Sequence, residues 1–228
     1  MKIINSKQLK LIIRYGVPFV LVPALCFLGA SVLDAKKHLL VSLGVALFSL
    51  LLFYAGFEKR GMESRRLVVA AVMVALCVLG RFIPFFKPIT AITIITAMYL
   101  GGETGFLVGS MSALISNFYF GQGPWTAFQM LSWGLIGFVA GVWGRRMRES
   151  RALLLTFGVL SGIAYSFIMD IWTVLWYAEG FDAKLYLAAI VTAVPYTLSY
   201  AISNFVFLWF LAEPFGRKLL RLKIKYRV

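Results

Sequence analysis

The chain is organised by its long uninterrupted apolar runs. About 20 apolar residues wound at 1.5 Å each cross the roughly 30 Å hydrocarbon layer of a bilayer. Lipid offers no partners for peptide groups, so such runs must be helices. Eight spans are expected, over residues 11–33, 38–57, 65–84, 88–101, 104–120, 125–143, 152–177 and 185–211. The fourth and fifth are short and need burial among neighbours or a locally thinner bilayer. A turn over residues 101–105, GGETG with its glycines, joins them. The fold class is an all-α polytopic membrane protein.

Of 228 residues 61% are hydrophobic and 14% charged, whereas a soluble domain carries about 25% charged residues. The formal net charge of +14 suggests nucleic acid at first sight. A membrane protein concentrates its positives in alternate, cytoplasmic loops. With the N-terminus inside, 18 of the 23 Lys and Arg fall on inside segments, which accounts for the charge without nucleic acid. Both termini are then expected in the cytoplasm of a cell whose plasma membrane holds the chain. The tail RKLLRLKIKY adds an expected contact with anionic lipid. The basic, apolar N-terminus is read as a retained helix and not as a cleaved signal, because its apolar run is long and a second span follows.

Chemistry-bearing motifs are few. Cys26 and Cys77 fall inside spans and read as small packing residues. A single histidine, His38, excludes a multi-histidine metal site. No phosphate-cradling loop is present, so ATP hydrolysis by that route is excluded. Asp170 is the one acidic residue deep in a span, where a carboxylate is costly and faces a cavity or a partner. Arg81, at the end of the third span, is a candidate partner for it. Trp172 and Trp176 share a helix face at i and i+4. The stretch 117–130, NFYFGQGPWTAFQM, combines amides, aromatics, two glycines and a proline between two apolar runs. Aromatic belts at the membrane interface explain many such rings. Their company with Asn117, Gln122, Gln129 and Asp170 instead suits a pocket with a few placed polar groups. Ala71 and Ala75 lie on one helix face, and small residues at that spacing let another helix approach closely. Asn204 is expected to bond between helices.

From Arg65 to about Glu213 the chain resembles the substrate-binding S components of energy-coupling factor vitamin transporters. The resemblance rests on RRLVVAAVMVALCVLGR, the loop RFIPFFKPITAIT, and the segment LGGETGFLVGSMSALISNFYFGQGPWTAFQMLSWGLIGFVAG. The part FGQGPWTAFQM looks most like the cobalamin-specific member. The resemblance implies a six-helix core, residues 61–228; residues 1–60, two additional N-terminal helices, depart from the family pattern and are expected to cover the side of the core. It implies loops 81–89, 119–126 and 178–184 closing over a vitamin at the outer face. Arg81, Asn117, Tyr119, Gln122, Trp125, Gln129, Asp170, Trp172 and Trp176 are the expected pocket or gate residues. Ala71 and Ala75 map onto the docking surface for a membrane coupling subunit, which works with two ATP-binding-cassette ATPases. No permanently bound cofactor or metal is expected, and the expected ligand is cobalamin or a related corrinoid. Pantothenate, folate, riboflavin or a queuosine precursor is the alternative within the same fold. A membrane enzyme using Asp170 is a further alternative, weakened because no second deep carboxylate or histidine accompanies it.

Overall fold

The structure, a computed structural model, describes residues 7–32, 38–56, 62–178 and 180–226. Apolar periodicity and the need to satisfy peptide groups internally make it helical, and no strand occurs among the described residues. The first span is α1 (Lys7–Gly16) and α2 (Val22–Val32), fused by a π-helical turn at Val17–Leu21. There the Val22 N–H bonds back to the Val17 carbonyl. Pro23 has no N–H to continue the regular ladder, and the wider turn accommodates the break.

Next come α3 (His38–Ala55), α4 (Met62–Gly80), α5 (Ile89–Leu100), α6 (Gly102–Phe120), α7 (Trp125–Val142), the short α8 (Gly144–Glu149), α9 (Arg151–Tyr177) and α10 (Ala183–Tyr226). Ser150 caps α9 by accepting from the Leu153 N–H at 3.2 Å. Asp182 does the same for α10 through the Leu185 N–H at 2.9 Å.

Five helices are long and apolar enough to cross a membrane: the α1–α2 unit, α3, α7, α9 and α10. The other three expected spans, α4, α5 and α6, depend on their neighbours. The polar residues of α6, among them Thr104, Ser110, Ser112, Ser116 and Asn117, are buried against protein and spared from lipid. The 12-residue α5 is buried at every position except Tyr99. The expected turn over 101–105 contracts to one residue. Gly101 has φ +96°, and α6 begins at once with Gly102. Only glycine tolerates that backbone comfortably. Residues 102–105 are helical because the Gly105 N–H bonds to the Gly101 carbonyl, and Glu103 suits the positive end of the helix dipole.

α5 forms the axis, with α4, α6, α7, α9 and α10 packed around it. The tightest seam joins α6 to α7. A Cβ on Gly105 would lie 2.5 Å from the Gly137 carbonyl oxygen, and one on Gly137 would lie 2.3 Å from that of Gly105. Gly109 similarly meets the Trp133 backbone and Gly141 meets Gly102. The N-terminal helices cover this α6–α7 face. Phe27 meets Phe128 edge-on, Tyr15 and Phe19 meet Phe138, and Cys26 donates to the Ala127 carbonyl. Arg14 pairs with Glu103 at 2.9 Å. On another side α4 and α10 flank an open groove.

Two ends of the bundle are thereby defined. The Arg81 end gathers the connections 81–88 and 121–124 together with residues 178 and 180–182. The opposite, Glu103 end gathers Gly101, Arg14, α8 and the last turns of α10. Asn204 donates to the Gly158 carbonyl at 3.0 Å, the interhelical bond expected of it. Cys26 and Cys77 are buried free thiols.

Candidate functional site

At the Arg81 end, four helices contribute to one chain of hydrogen bonds. Arg81 follows the last turn of α4 and donates through Nη1 to Ser116 Oγ and Asn117 Oδ1, each at 2.5 Å. Asn117 is fully buried on α6. Its Nδ2 donates to Thr126 Oγ1 at 2.9 Å and to Gln129 Oε1 at 2.8 Å, both on α7. Gln129 Nε2 donates on to the Tyr165 hydroxyl of α9 at 3.3 Å. The order follows from chemistry: a guanidinium only donates, carboxamides both accept and donate, and a phenol can end the row.

Aromatic rings flank this row. Trp133 stacks on Tyr165 with centroids 4.9 Å apart and 15° between planes. Its Nε1 donates to Thr90 Oγ1 at 3.1 Å. The Arg81 guanidinium lies 4.9 Å from the Phe120 ring and 5.6 Å from Trp133. Lys87, on the same loop, is pushed below the usual lysine range by burial first and by nearby Arg81 second. Tyr200 packs edge-on against Tyr165 from α10.

The 117–130 stretch is thus less of a loop than its composition suggests. Asn117–Phe120 ends α6, Trp125–Met130 begins α7, and only 121–124 is non-helical. Gly121 has φ +102°. A Cβ on Gly123 would sit 2.3 Å from the Trp125 ring. Gln122 bridges this connection. Its Nε2 donates to the Leu114 carbonyl at 2.9 Å, and its Oε1 accepts from Thr126 at 3.1 Å.

The expected site residues divide into three groups. Arg81, Asn117, Gln122 and Gln129 belong to the polar network. Trp125, Trp172 and Trp176 form an aromatic row: Trp125 meets Trp172 at 5.8 Å, and Trp172 lies 6.2 Å from Trp176. Tyr119 is 71% exposed and packs on Phe82 and Phe120, away from the amides. Asp170 stands apart from all of these, beside a groove between α9 and α10 with Thr173 and Thr192. The expected Arg81–Asp170 pair does not form. Arg81 is already held by Ser116 and Asn117, and Asp170 Oδ2 is buried with no hydrogen-bond partner. The Trp172 Nε1 is likewise buried and unpartnered.

Sequence reasoning missed Tyr165, Ser116 and Thr126 as members of the network. A signal for Tyr165 existed: Gly158, Ser161, Gly162, Tyr165, Ser166 and Asp170 recur at helical spacing on the buried stripe of α9.

The family described as "ECF-type riboflavin transporter, S component" matches residues 61–214. The chain belongs to this family. No curated protein and no solved structure matches the chain. As an S component the chain is a membrane-embedded, substrate-binding transport subunit that associates with an energy-coupling module. Within the matched region lie the whole polar network and the aromatic row, whereas α1–α3 precede it.

Proposed function

We propose that this S component captures a planar aromatic vitamin at its Arg81 end, with riboflavin the first candidate, and passes it through a coupling module docked on α4. The observation that supports this reading is the Arg81–Asn117–Gln129–Tyr165 row beside the Trp133–Tyr165 stack. Carboxamides offer paired donors and acceptors to an imide edge, and stacked rings offer a face to a flat heterocycle. The Arg81 end faces outside, because the Glu103 end carries most of the lysines and arginines. Ala71 and Ala75 are both exposed on α4, in a strip with Val68, Val72 and Leu79 that no helix covers among the described residues. Such a strip suits a coupling-subunit helix. The ATPases of the module would supply the energy.

Cobalamin is the second reading. The likeness of FGQGPWTAFQM and the amide-rich rim of a corrinoid favour it, and its larger body would need more cover than the three short connections give.

Titration of the detergent-purified chain with riboflavin, followed by quenching of flavin fluorescence, tests the proposal. Cyanocobalamin, folate and pantothenate are titrated in parallel. Near-stoichiometric riboflavin binding is the expected result. Tight corrinoid binding with no flavin response would reverse the two readings, and silence towards all four would remove both.

A further inference from the structure

A groove of about 500 Å³ runs between the Tyr177 end of α9 and the first turns of α10. Leu185, Ala188, Ala189, Ala193 and Tyr196 make most of its wall, and the small alanines leave the room. Asp170, Thr173 and Thr192 line it as well. Asp170 is only 7% exposed, and its Oδ2 is buried with no hydrogen-bond partner. At 1.5 Å per residue it lies about 10 Å in from the Tyr177 end of its helix.

Native proteins leave few buried polar atoms unsatisfied, and a carboxylate inside a span is costly unless something answers it. The hydroxyls of the α9–α10 seam do not, because each gives its proton elsewhere. Thr173 donates to the Met169 carbonyl at 3.2 Å, and Thr192 to the Ala188 and Ala189 carbonyls at 3.0 and 2.9 Å. Thr197 donates to the Ala193 carbonyl at 3.1 Å and pairs with Ser166 at 2.6 Å. Tyr186 donates to the Phe167 carbonyl at 3.3 Å. A hydroxyl that has donated its proton still has a lone pair to offer. Beside Asp170 the groove therefore offers acceptors: the carboxylate and the two threonine oxygens. The occupant that answers them is a donor and a cation.

We propose that this groove binds a primary ammonium group carried on an apolar body, with the Asp170 carboxylate as its counter-ion. An alkylammonium has three N–H donors, which suits one carboxylate and two hydroxyl oxygens. A hard divalent cation takes about six to eight oxygens, more than this groove supplies. A quaternary ammonium carries the charge but has no N–H to give. The ammonium can come from a free amine or from an aminophospholipid headgroup. The groove lies apart from the Arg81 network, and the proposal does not depend on which vitamin the chain takes.

The test is calorimetric titration of the detergent-purified full chain with phenethylamine and with its trimethylated quaternary analogue, at neutral pH. Phenethylamine is expected to bind on the order of tenfold more tightly, because only it donates hydrogen bonds to the charged carboxylate. Asp170→Asn keeps the shape, removes the charge and should weaken phenethylamine by a similar factor or more. Ala189→Phe fills the groove from α10 and should abolish binding, which keeps the test intact if the Asn variant does not fold. Thermal unfolding reports that each variant is folded. Native mass spectrometry with phosphatidylethanolamine and phosphatidylcholine of identical acyl chains is the lipid arm. Preferential retention of phosphatidylethanolamine, lost in Asp170→Asn, would assign the ammonium to a headgroup; phenethylamine binding without a lipid preference would assign it to a free amine. No discrimination between the two amines and none between the two lipids would overturn the proposal, as would binding that survives both variants in folded chains. Competitive displacement of the amine by riboflavin would overturn its separation from the vitamin site.

Discussion

Arg81 Nη1 lies 2.5 Å from Asn117 Oδ1, and this contact ties the end of α4 to α6 at the candidate vitamin site. A hydrogen bond to a charged group contributes about 1.5–3 kcal/mol. Arg81→Lys keeps the charge but not the planar fork. It is expected to weaken vitamin binding by about tenfold or more. The titration described above, repeated on the variant, measures it; unchanged affinity would separate Arg81 from the ligand.

Asn117 engages three partners at once, so Asn117→Leu should be costly. It leaves Gln129 Oε1 without its donor and takes one partner each from Arg81 and Thr126, and a buried polar group left unpaired costs about 1–3 kcal/mol. A clear fall in the unfolding midpoint in detergent is expected. A midpoint equal to that of the parent chain would mean that the network adds nothing to stability.

Trp172 gives the opposite expectation. Its Nε1 is buried without a partner, so Trp172→Phe removes an unsatisfied donor and most of the ring remains. Stability should hold or rise slightly. If the indole N–H serves the vitamin, affinity falls while the unfolding midpoint does not. Parallel titration and melting distinguish the two effects.

Gly137→Leu tests the α6–α7 seam. Even one added carbon would lie 2.3 Å from the Gly105 carbonyl oxygen, and backbone cannot yield as a flexible side chain does. Overpacking commonly costs about 1–3 kcal/mol, and here it must separate two helices. The expected result is loss of the monodisperse folded species in size-exclusion chromatography.

Ala71→Phe with Ala75→Phe addresses the coupling surface. Both positions are exposed on α4. Vitamin binding by the isolated chain should be unchanged, whereas vitamin uptake by cells should be abolished. Loss of binding with assembly preserved would place these residues in a different role.

Much of this architecture is legible in the sequence because lipid allows so few solutions. Long apolar runs demand helices, and Asn204 within a run demands an interhelical acceptor, which Gly158 provides. The site was legible in its residue types and less so in its pairings. Arg81 and Asp170 are opposite charges that a linear reading joins, yet Ser116 and Asn117 lie one helix away and capture the guanidinium first. Periodicity tells which face a residue occupies, not which helix lies opposite. The same limit hid the α6–α7 seam: Gly102, Gly105 and Gly109 and Gly134, Gly137 and Gly141 stand at helical spacing, but their mutual contact exists only in three dimensions. The short turn at Gly101 was overextended because a glycine-rich string looks like loop even where helix begins immediately.

The brevity of α5 also bears on the surrounding bilayer. Twelve residues rise only about 18 Å, well short of a hydrocarbon layer of roughly 30 Å. Because protein wraps that helix, its length is free of the rule that lipid imposes on the outer helices. The lipid-facing α9 and α10 keep spanning length, so the bilayer meets full-length helices while the protein layer along the central helix between the two polar ends is only about 18 Å deep.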